Sequence, residues 1–236
     1  MLMTTIAVIG AQGHFGSRLC ERLTEIVPKT RLLRTQNKGS SIEVARQADI
    51  VALAVRTIQM DRTLDEIVAV LKQGAIVVSF VGRSPLANIV ARTKRNAIRV
   101  MIDPFWNMGA YVESGAVGAQ TMEIIGRLTK TPPLGLRSDE ELDRYTNLLA
   151  HLFAALLLQR LGRIGHADAH LEFLAHEFSE FGRAFTPKEF ETYALRENAE
   201  ESLKTIATPG GITEKAVELL EAGAEPSAIQ KILVNL

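Results

Sequence analysis

Short apolar runs alternate with helical segments through the first half of the chain, up to about residue 118. The runs are continuously apolar, as expected for parallel strands that are covered by helices on both faces. Helices are expected between them, at about 14–27, 58–73 and 84–95. The alternation predicts a doubly wound parallel sheet. Its candidate strands are TIAVIG (5–10), RLLRT (31–35), DIVALAV (49–55), AIVVSFV (75–81) and AIRVMI (97–102).

The alternation stops at Pro132-Pro133, and the rest of the chain has a helical pattern. A capping box, Ser138 with Glu141 three residues later, precedes a long apolar helix, and further helices are expected up to the end of the chain. We therefore predict two domains. Residues 1–131 form the α/β domain, and residues 132–236 form a smaller, all-helical domain.

The composition excludes several classes of protein. The chain has 27 Lys and Arg against 27 Asp and Glu, a balance that predicts neither a nucleic-acid partner nor a membrane-surface partner. The single cysteine, Cys20, cannot form an intramolecular disulfide, which fits a reducing compartment. The longest strongly apolar run, Leu152 to Leu158, is too short to span a bilayer. We expect a soluble, cytoplasmic protein.

A glycine-rich turn joins the first predicted strand to the first predicted helix. The stretch VIGAQGHFG reads G-x-x-G-x-x-G, one residue longer than the usual dinucleotide fingerprint. Such glycines allow a tight turn and bring backbone close to a diphosphate that rests on a helix N-terminus. The alternative is a tight β–α turn without a ligand. We predict a Rossmann-type site whose contact residues here are Gly10, Gln12, Gly13, His14, Phe15 and Gly16.

The end of the second strand bears on the choice of dinucleotide. Sites for NAD usually carry an acidic residue there, whereas sites for NADP carry Arg and hydroxyl groups for the 2′-phosphate. The stretch LLRTQNKGSS contains Arg34, Thr35 and Lys38 and has no acidic residue before Glu43. This pattern favours NADP as the cofactor, with NAD possible. The alternative is a solvated basic turn.

Four motifs make the chain resemble the pyrroline-5-carboxylate reductase family over most of its length. ADIVALAVR is similar to a strand that in the family ends in A-V-K-P, and VVSFVGRSPLANI is similar to its V-S-I-A-A-G segment. RVMIDPFWNMG aligns without a gap to R-V-M-P-N-T-P-x-x-x-G. IATPGGIT resembles V-T-S-P-G-G-T-T, which is the most specific of the four because a general Rossmann protein has no need of it.

The resemblance implies an NAD(P)H-dependent reductase of proline biosynthesis, which transfers hydride to the C=N bond of pyrroline-5-carboxylate to give proline. It also implies a homodimer that interlocks through the helical domain. Thr213 would contact the imine nitrogen as the catalytic residue. The substrate carboxylate would be bound by the loop of Thr208, Gly210 and Gly211, with Asp103 at the substrate side. By the same resemblance, further cofactor contacts would come from Ala54, Val55 and Arg56.

The sequence departs from the family at several positions. Asp103 replaces Asn, Ile212 replaces the first Thr of the loop, and NLLAHLFAAL (147–156) stands where the family has S-G-S-G-P-A-Y. Only thirteen residues separate Arg34 from Ala48, where the family has a helix and a further strand. Two alternatives therefore remain open: a reductase of another imine or carbonyl compound, and a non-catalytic NADP(H)-binding homologue.

Three smaller features have competing interpretations. Apolar side chains at Leu148, Phe153 and Phe173 flank the helical stripes, which favours burial in a second subunit over burial within one chain. His166 and His170 have the i, i+4 spacing of a metal-binding pair, but a polar helix flank explains them as well, and we predict no metal. Of the aromatic pair Phe105-Trp106, one ring is expected in the core and the other in the cleft.

Overall fold

A computed structural model describes residues 4–27, 31–35, 39–165, 167–183, 185, 186, 189 and 198–236. Within these residues seven strands form one sheet in the order β2-β1-β3-β4-β5-β6-β7. The strands are β1 Thr5–Ile9, β2 Arg31–Arg34, β3 Ile50–Leu53, β4 Ile76–Ser79, β5 Ala97–Ile102, β6 Gly109–Glu113 and β7 Leu134–Gly135.

Helices follow most of the strands, and in the described residues the chain is helical after β7. Two 3₁₀ turns, Thr57–Gln59 and Val68–Val70, flank the third helix. The helices are α1 His14–Ile26, α2 Ser40–Gln47, α3 Met60–Ile67, α4 Leu86–Thr93, α5 Ala119–Leu128, α6 Asp139–Arg160, α7 Asp168–Ser179, α8 Ala199–Ile206, α9 Ile212–Glu221 and α10 Pro226–Val234.

The first five strands are parallel, and β1 lies between β2 and β3. Ala7 of β1 pairs with Leu33 on one side and with Val51 on the other. The chain changes direction across the sheet at β1, and doubly wound folds bind their ligands at the carboxyl edge of such a switch point. The predicted doubly wound sheet is confirmed, with the addition of two strands, β6 and β7, that run opposite to the first five. Tyr111 of β6 faces Val100 of β5, and β7 is parallel to β6.

The sequence did not predict β6, β7, α2 or α5. Strand β6 begins at a glycine and ends at a glutamate, so it lacks the continuous apolar run of a central strand. Strand β7 has two residues directly behind Pro132-Pro133. The short stretch between β2 and β3 also holds an eight-residue helix, α2. The resemblance implied a helix and a further strand at this place. The described residues contain the helix and no further strand.

The chain divides into two compact units, residues 1–102 with 106–139, and residues 103–105 with 140–236. The predicted boundary between 131 and 132 precedes the observed one because β7 still pairs with β6, Ala110 with Leu134. In the first unit the sheet core is apolar on both faces. Cys20 of α1 is buried in this core, and burial raises the pKa of its thiol.

An ion pair connects the start of α6 to the sheet of the first unit. The Arg99 side chain is fully buried in β5, and its Nη1 donates to Oδ1 of Asp139. The other carboxylate oxygen of Asp139 accepts a hydrogen bond of 2.8 Å from the backbone N–H of Leu86, at the beginning of α4. One carboxylate therefore compensates a buried guanidinium and also stabilises a helix N-terminus.

The second unit is built around α6, whose middle is buried over more than two turns. Leu148 and Phe153, two of the side chains that favoured a dimer, are buried within the single chain, and Phe105 packs on Phe153 at a ring distance of 5.2 Å. The apolar flank of α6 is thus covered without a partner. The homodimer stays a prediction. None of the helices in the described ranges is long and apolar enough to cross a bilayer.

Three polar side chains form a hydrogen-bonded chain inside the helical unit. The amide nitrogen of Gln230 lies 3.0 Å from Nδ1 of His151, and Nε2 of His151 lies 3.0 Å from Nδ1 of His170. Since an amide nitrogen only donates, His151 is neutral and carries its proton on Nε2. His166 lies outside the described residues. Among those that are described, no group of three or more His, Cys, Asp or Glu could hold a metal.

Acid should destabilise this unit through His151. Burial, and then the charge of His170, lower the pKa of His151 to about 3. Below about pH 6.5 the His151 imidazole binds a proton in the unfolded chain but stays neutral in the folded protein. The free energy of unfolding therefore falls as the pH drops through that value. From about pH 7.5 to about pH 5 we expect a loss of about 2 kcal/mol in the free energy of unfolding, measured by urea denaturation.

The His151→Leu variant should lose most of this pH dependence, although it is less stable at neutral pH because its partners lose a hydrogen bond. The matched control, His176→Gln, removes an exposed histidine of α7 and should keep the pH dependence of the original protein. An equal pH dependence in His151→Leu and His176→Gln would contradict the assignment.

Candidate active site

The glycine turn lies at the switch point of the sheet, between β1 and α1. Gly10 has a φ of +90°, and a Cβ there would lie 2.4 Å from the carbonyl oxygen of Ala54. At Gly16 a Cβ would lie 2.1 Å from the carbonyl oxygen of Gly10. Glycine is required at both positions because α1 packs directly on the ends of β1 and β3.

The N-terminus of α1 opens at the carboxyl edge of the sheet. Gly13 is the N-cap, and the first turn of the helix contains no acidic residue. Gln12 and His14 are exposed, and Phe15 is half-buried. The unpaired N–H groups and the positive end of the helix dipole suit this position for a diphosphate. The predicted contact residues of the turn are thus brought together at one place.

The end of β3 forms the neighbouring wall of the crevice. The N–H of Ala54 donates to the Ile9 carbonyl at 2.8 Å, which holds the two strand ends together. Val55 is half-buried and Arg56 is exposed, and the N–H of Arg56 donates to the Gln59 side chain at 3.3 Å. These three predicted contact residues, Ala54 to Arg56, lie beside the glycine turn.

The two predicted cofactor residues at the end of β2, Arg34 and Thr35, differ in their exposure to solvent. Arg34 is exposed, and its guanidinium donates to the Thr24 hydroxyl at 3.2 Å. Thr35 is buried, and its hydroxyl accepts from the N–H of Gly10 at 3.1 Å. A direct contact between Thr35 and a phosphate would require the hydroxyl to leave the turn. Lys38 lies outside the described residues.

Three aromatic rings cluster at the same edge of the first unit. Phe15 of α1 stacks on Trp106 at a centroid distance of 5.5 Å and an angle of 18°, and it packs against Phe80 at 5.4 Å. Trp106 is half-buried and has a φ of +59°, which is unusual for a bulky residue. The prediction did not include Phe80, which ends an apolar run and has no polar signal.

The second unit carries the Thr208 to Thr213 loop, which connects α8 to α9. The N–H of Gly211 donates to the Thr208 carbonyl at 2.8 Å, with Pro209 and Gly210 between them and a φ of +74° at Gly210. This is the pattern of a type II turn. A Cβ at Gly211 would lie 2.8 Å from the Thr208 carbonyl oxygen. The N–H of Gly211 is thus used by the turn, and the contact between Gly211 and a substrate stays a prediction.

A carboxylate already lies on this loop. The N–H of Gly210 donates to Oε2 of Glu214 at 2.7 Å. Thr213 is half-buried in the first turn of α9, whose leading N–H groups have no acceptors within the helix. A backbone N–H of this loop thus donates to a carboxylate of the chain itself, and the binding of a substrate carboxylate there stays a prediction. Glu214 was missed because nothing in the motif indicates that its side chain turns back onto Gly210.

Asp103 is buried in the second unit. Its Oδ1 accepts a hydrogen bond of 2.8 Å from the N–H of Phe105, which closes a local turn. Both members of the aromatic pair are half-buried: Phe105 packs on Phe153, and Trp106 stacks on Phe15 and packs against the core of the first unit. The contact between Asp103 and a substrate stays a prediction.

The sheet order and the glycine turn define a Rossmann-type fold, and this fold was compared with those of known proteins. No protein-family model matches the chain, and no curated protein matches it by sequence. The fold is similar to that of a pyrroline-5-carboxylate reductase from Coxiella burnetii, at 15% identity and a TM-score of 0.58, over 99% of this chain and 96% of that chain.

Two further solved structures are similar along nearly the whole chain. A pyrroline carboxylate reductase from Plasmodium falciparum with NADP bound has 14% identity and a TM-score of 0.56, over 99% of this chain and 94% of that chain. A prephenate dehydrogenase from A. aeolicus, in complex with hydroxyphenyl propionate and NAD+, has 12% identity and a TM-score of 0.50, over 100% and 92%. The predicted resemblance to pyrroline-5-carboxylate reductases is confirmed for the fold.

Proposed function

We propose that the chain is an NADP-dependent reductase that transfers hydride to the C=N bond of a small cyclic imino acid, with pyrroline-5-carboxylate as the substrate and proline as the product. The observation that carries the proposal is the Thr208 to Thr213 loop. In this loop a glycine turn precedes a helix, and one of its backbone N–H groups donates to a carboxylate. The same chain also has the glycine turn between β1 and α1, which suits a dinucleotide.

The first unit supports the cofactor part of the proposal. The residues of its glycine turn fit a diphosphate, since they combine a close backbone approach with a helix N-terminus. Exposed Arg34 at the end of β2 fits the 2′-phosphate of NADP. The reduced nicotinamide supplies the hydride when it is bound. The chain itself holds the dinucleotide, and the stacked Trp106 and Phe15 exclude water from this edge.

The second unit supports the substrate part of the proposal. The N–H groups of Gly210 and of the first turn of α9 hold the substrate carboxylate, with Thr208 at the edge of the loop. The hydroxyl of Thr213 orients the imine nitrogen by a hydrogen bond. A fixed carboxylate and a fixed nitrogen leave a planar imine little freedom, which is the main contribution that positioning makes to hydride transfer.

Steady-state oxidation of NADPH distinguishes the proposal from its alternatives. We expect turnover with pyrroline-5-carboxylate, and slower turnover with NADH. Higher turnover with another cyclic imine or with a carbonyl compound would instead support the first alternative, a reductase with a different substrate. Binding of NADPH without turnover of any of these compounds would support a non-catalytic homologue.

Glu214 should compete with a carboxylated substrate for the loop. The Glu214→Gln variant removes the negative charge that now lies on Gly210, so the KM for pyrroline-5-carboxylate should fall by about two- to fivefold, as for loss of one like charge at a helix N-terminus. The KM for 1-pyrroline, which lacks the carboxylate, should not change.

Glu218 provides the matched control for this measurement. It lies on the same helix and pairs with Lys215 at 2.7 Å rather than with the loop. Glu218→Gln should leave both KM values unchanged. If Glu214→Gln instead raised the KM for the carboxylated imine, Glu214 would support the loop and would not compete with the substrate.

The remaining parts of the proposal concern assembly and location. A homodimer through the helical unit is part of the proposal. Its support is the resemblance to the reductase family, because the apolar flank of α6 is already covered within the chain and no longer argues for a partner. A cytoplasmic location is supported by the single, buried Cys20.

A further inference from the structure

The hydroxyl of Thr35 lies directly beneath the glycine turn. Its Oγ1 is 3.1 Å from the N of Gly10, 3.4 Å from the N of Ala11 and 3.4 Å from the carbonyl oxygen of Val8. The backbone N–H of Thr35 donates to the same Val8 carbonyl at 3.2 Å. Thr35 is buried at the end of β2, so these contacts are shielded from water.

The hydrogen-bonding capacity of this hydroxyl is filled by the chain. A threonine hydroxyl has one proton to donate and two lone pairs to accept with. The lone pairs face the N–H groups of Gly10 and Ala11, and the acceptor within reach of the proton is the Val8 carbonyl oxygen at 3.4 Å. A phosphate oxygen only accepts, so it would have to reach that proton on a hydroxyl that is buried beneath the turn. The geometry therefore does not suit Thr35 as a phosphate ligand.

We propose that Thr35 is a positioning residue, which holds the backbone of Gly10 and Ala11 in the conformation that receives the diphosphate of the cofactor. This inference rests on the proposed dinucleotide function. Gly10 has a φ of +90°, a conformation that glycine adopts freely but that its backbone does not favour over others, so contacts are needed to hold the turn in one shape. Two hydrogen bonds from a buried side chain fix it across the switch point of the sheet.

The position of Thr35 has a consequence for specificity. The diphosphate is common to NADPH and NADH, whereas the 2′-phosphate is present only in NADPH. A residue that acts through the glycine turn contributes equally to the binding of both dinucleotides. Exposed Arg34, one residue earlier, contributes to NADPH alone.

Calorimetric titration of NADPH and NADH into three variants tests the inference. Thr35→Val keeps the shape of the side chain and removes the hydroxyl, and it should weaken both dinucleotides by about tenfold, with their ratio unchanged. Thr35→Ser keeps the hydroxyl and should bind both like the original protein. Arg34→Gln should weaken NADPH and leave NADH unchanged.

Two results would overturn the inference. If Thr35→Val lost affinity for NADPH but not for NADH, the hydroxyl would be assigned to the 2′-phosphate. If both affinities were unchanged, the hydroxyl would contribute only to the stability of the fold, which a lower melting temperature would show. If Thr35→Val does not fold, Thr35→Cys gives the same comparison with a weak acceptor in place of the hydroxyl. Failure of the original protein to bind either dinucleotide would overturn the proposed function itself.

Discussion

Replacing Thr213 by valine should lower reductase turnover by at least about a hundredfold, within the range for loss of a group that assists proton transfer. Valine keeps the size and branching of threonine and removes the hydroxyl that the proposal places at the imine nitrogen. The proposed dinucleotide contacts belong to the other unit, in the glycine turn and the ends of β2 and β3. NADPH affinity should therefore persist.

The measurement is kcat with pyrroline-5-carboxylate, together with the Kd of NADPH from quenching of Trp106, the single tryptophan of the chain. Thr213→Ser should retain most of the turnover. Thr205→Val serves as the matched control, because Thr205 is a half-buried threonine of α8 outside the loop. Unchanged turnover in Thr213→Val would remove Thr213 from the catalytic role.

Replacing Asp139 by alanine should lower the free energy of unfolding by about 3–5 kcal/mol, the usual cost of breaking a buried ion pair from one side. The Arg99 side chain is 0% exposed, so without this carboxylate its charge would remain in the interior. The N–H of Leu86 would also lose its acceptor at the start of α4. Urea denaturation at neutral pH measures the loss.

Two comparisons make this prediction specific. Asp65→Ala breaks the exposed pair between Asp65 and Arg92, 2.6 Å apart, and should cost less than about 1 kcal/mol. In the double variant Arg99→Met with Asp139→Leu, apolar packing replaces both charges, and much of the stability should return. A loss in Asp139→Ala no larger than that in Asp65→Ala would contradict the assignment of a buried pair.

The sequence predicted the parts of the fold that have a strong local signal. Strands β1, β3, β4 and β5 are largely apolar runs because helices cover both faces of the sheet, and the glycine turn has its own spacing. Strand β2, at the sheet edge, is shorter in apolar residues and has an exposed arginine at each end. Strands β6 and β7 lack that signal, since β6 contains Gly and Glu at its ends and β7 has two residues. Strand β6 pairs with β5, and β7 pairs with β6, through contacts that no local pattern contains.

The candidate site was predicted at the level of residues but not of atoms. Thr35 and Gly211 were identified, yet the hydroxyl of one and the N–H of the other are used within turns. Glu214 was not identified, because its contact with Gly210 depends on a side-chain direction rather than on a motif. A residue type at a given spacing shows what chemistry is available, whereas hydrogen-bond partners show which groups are already engaged.

The central claim is that this chain transfers hydride to an imino acid, and isotope transfer tests it most directly. The protein is incubated with pyrroline-5-carboxylate and with NADPH that carries deuterium at both C4 positions of the nicotinamide ring, so that either hydride transferred is labelled. The account predicts proline that is one mass unit heavier than unlabelled proline. Binding of NADPH, seen as quenching of Trp106, with no deuterium in any product would contradict the account.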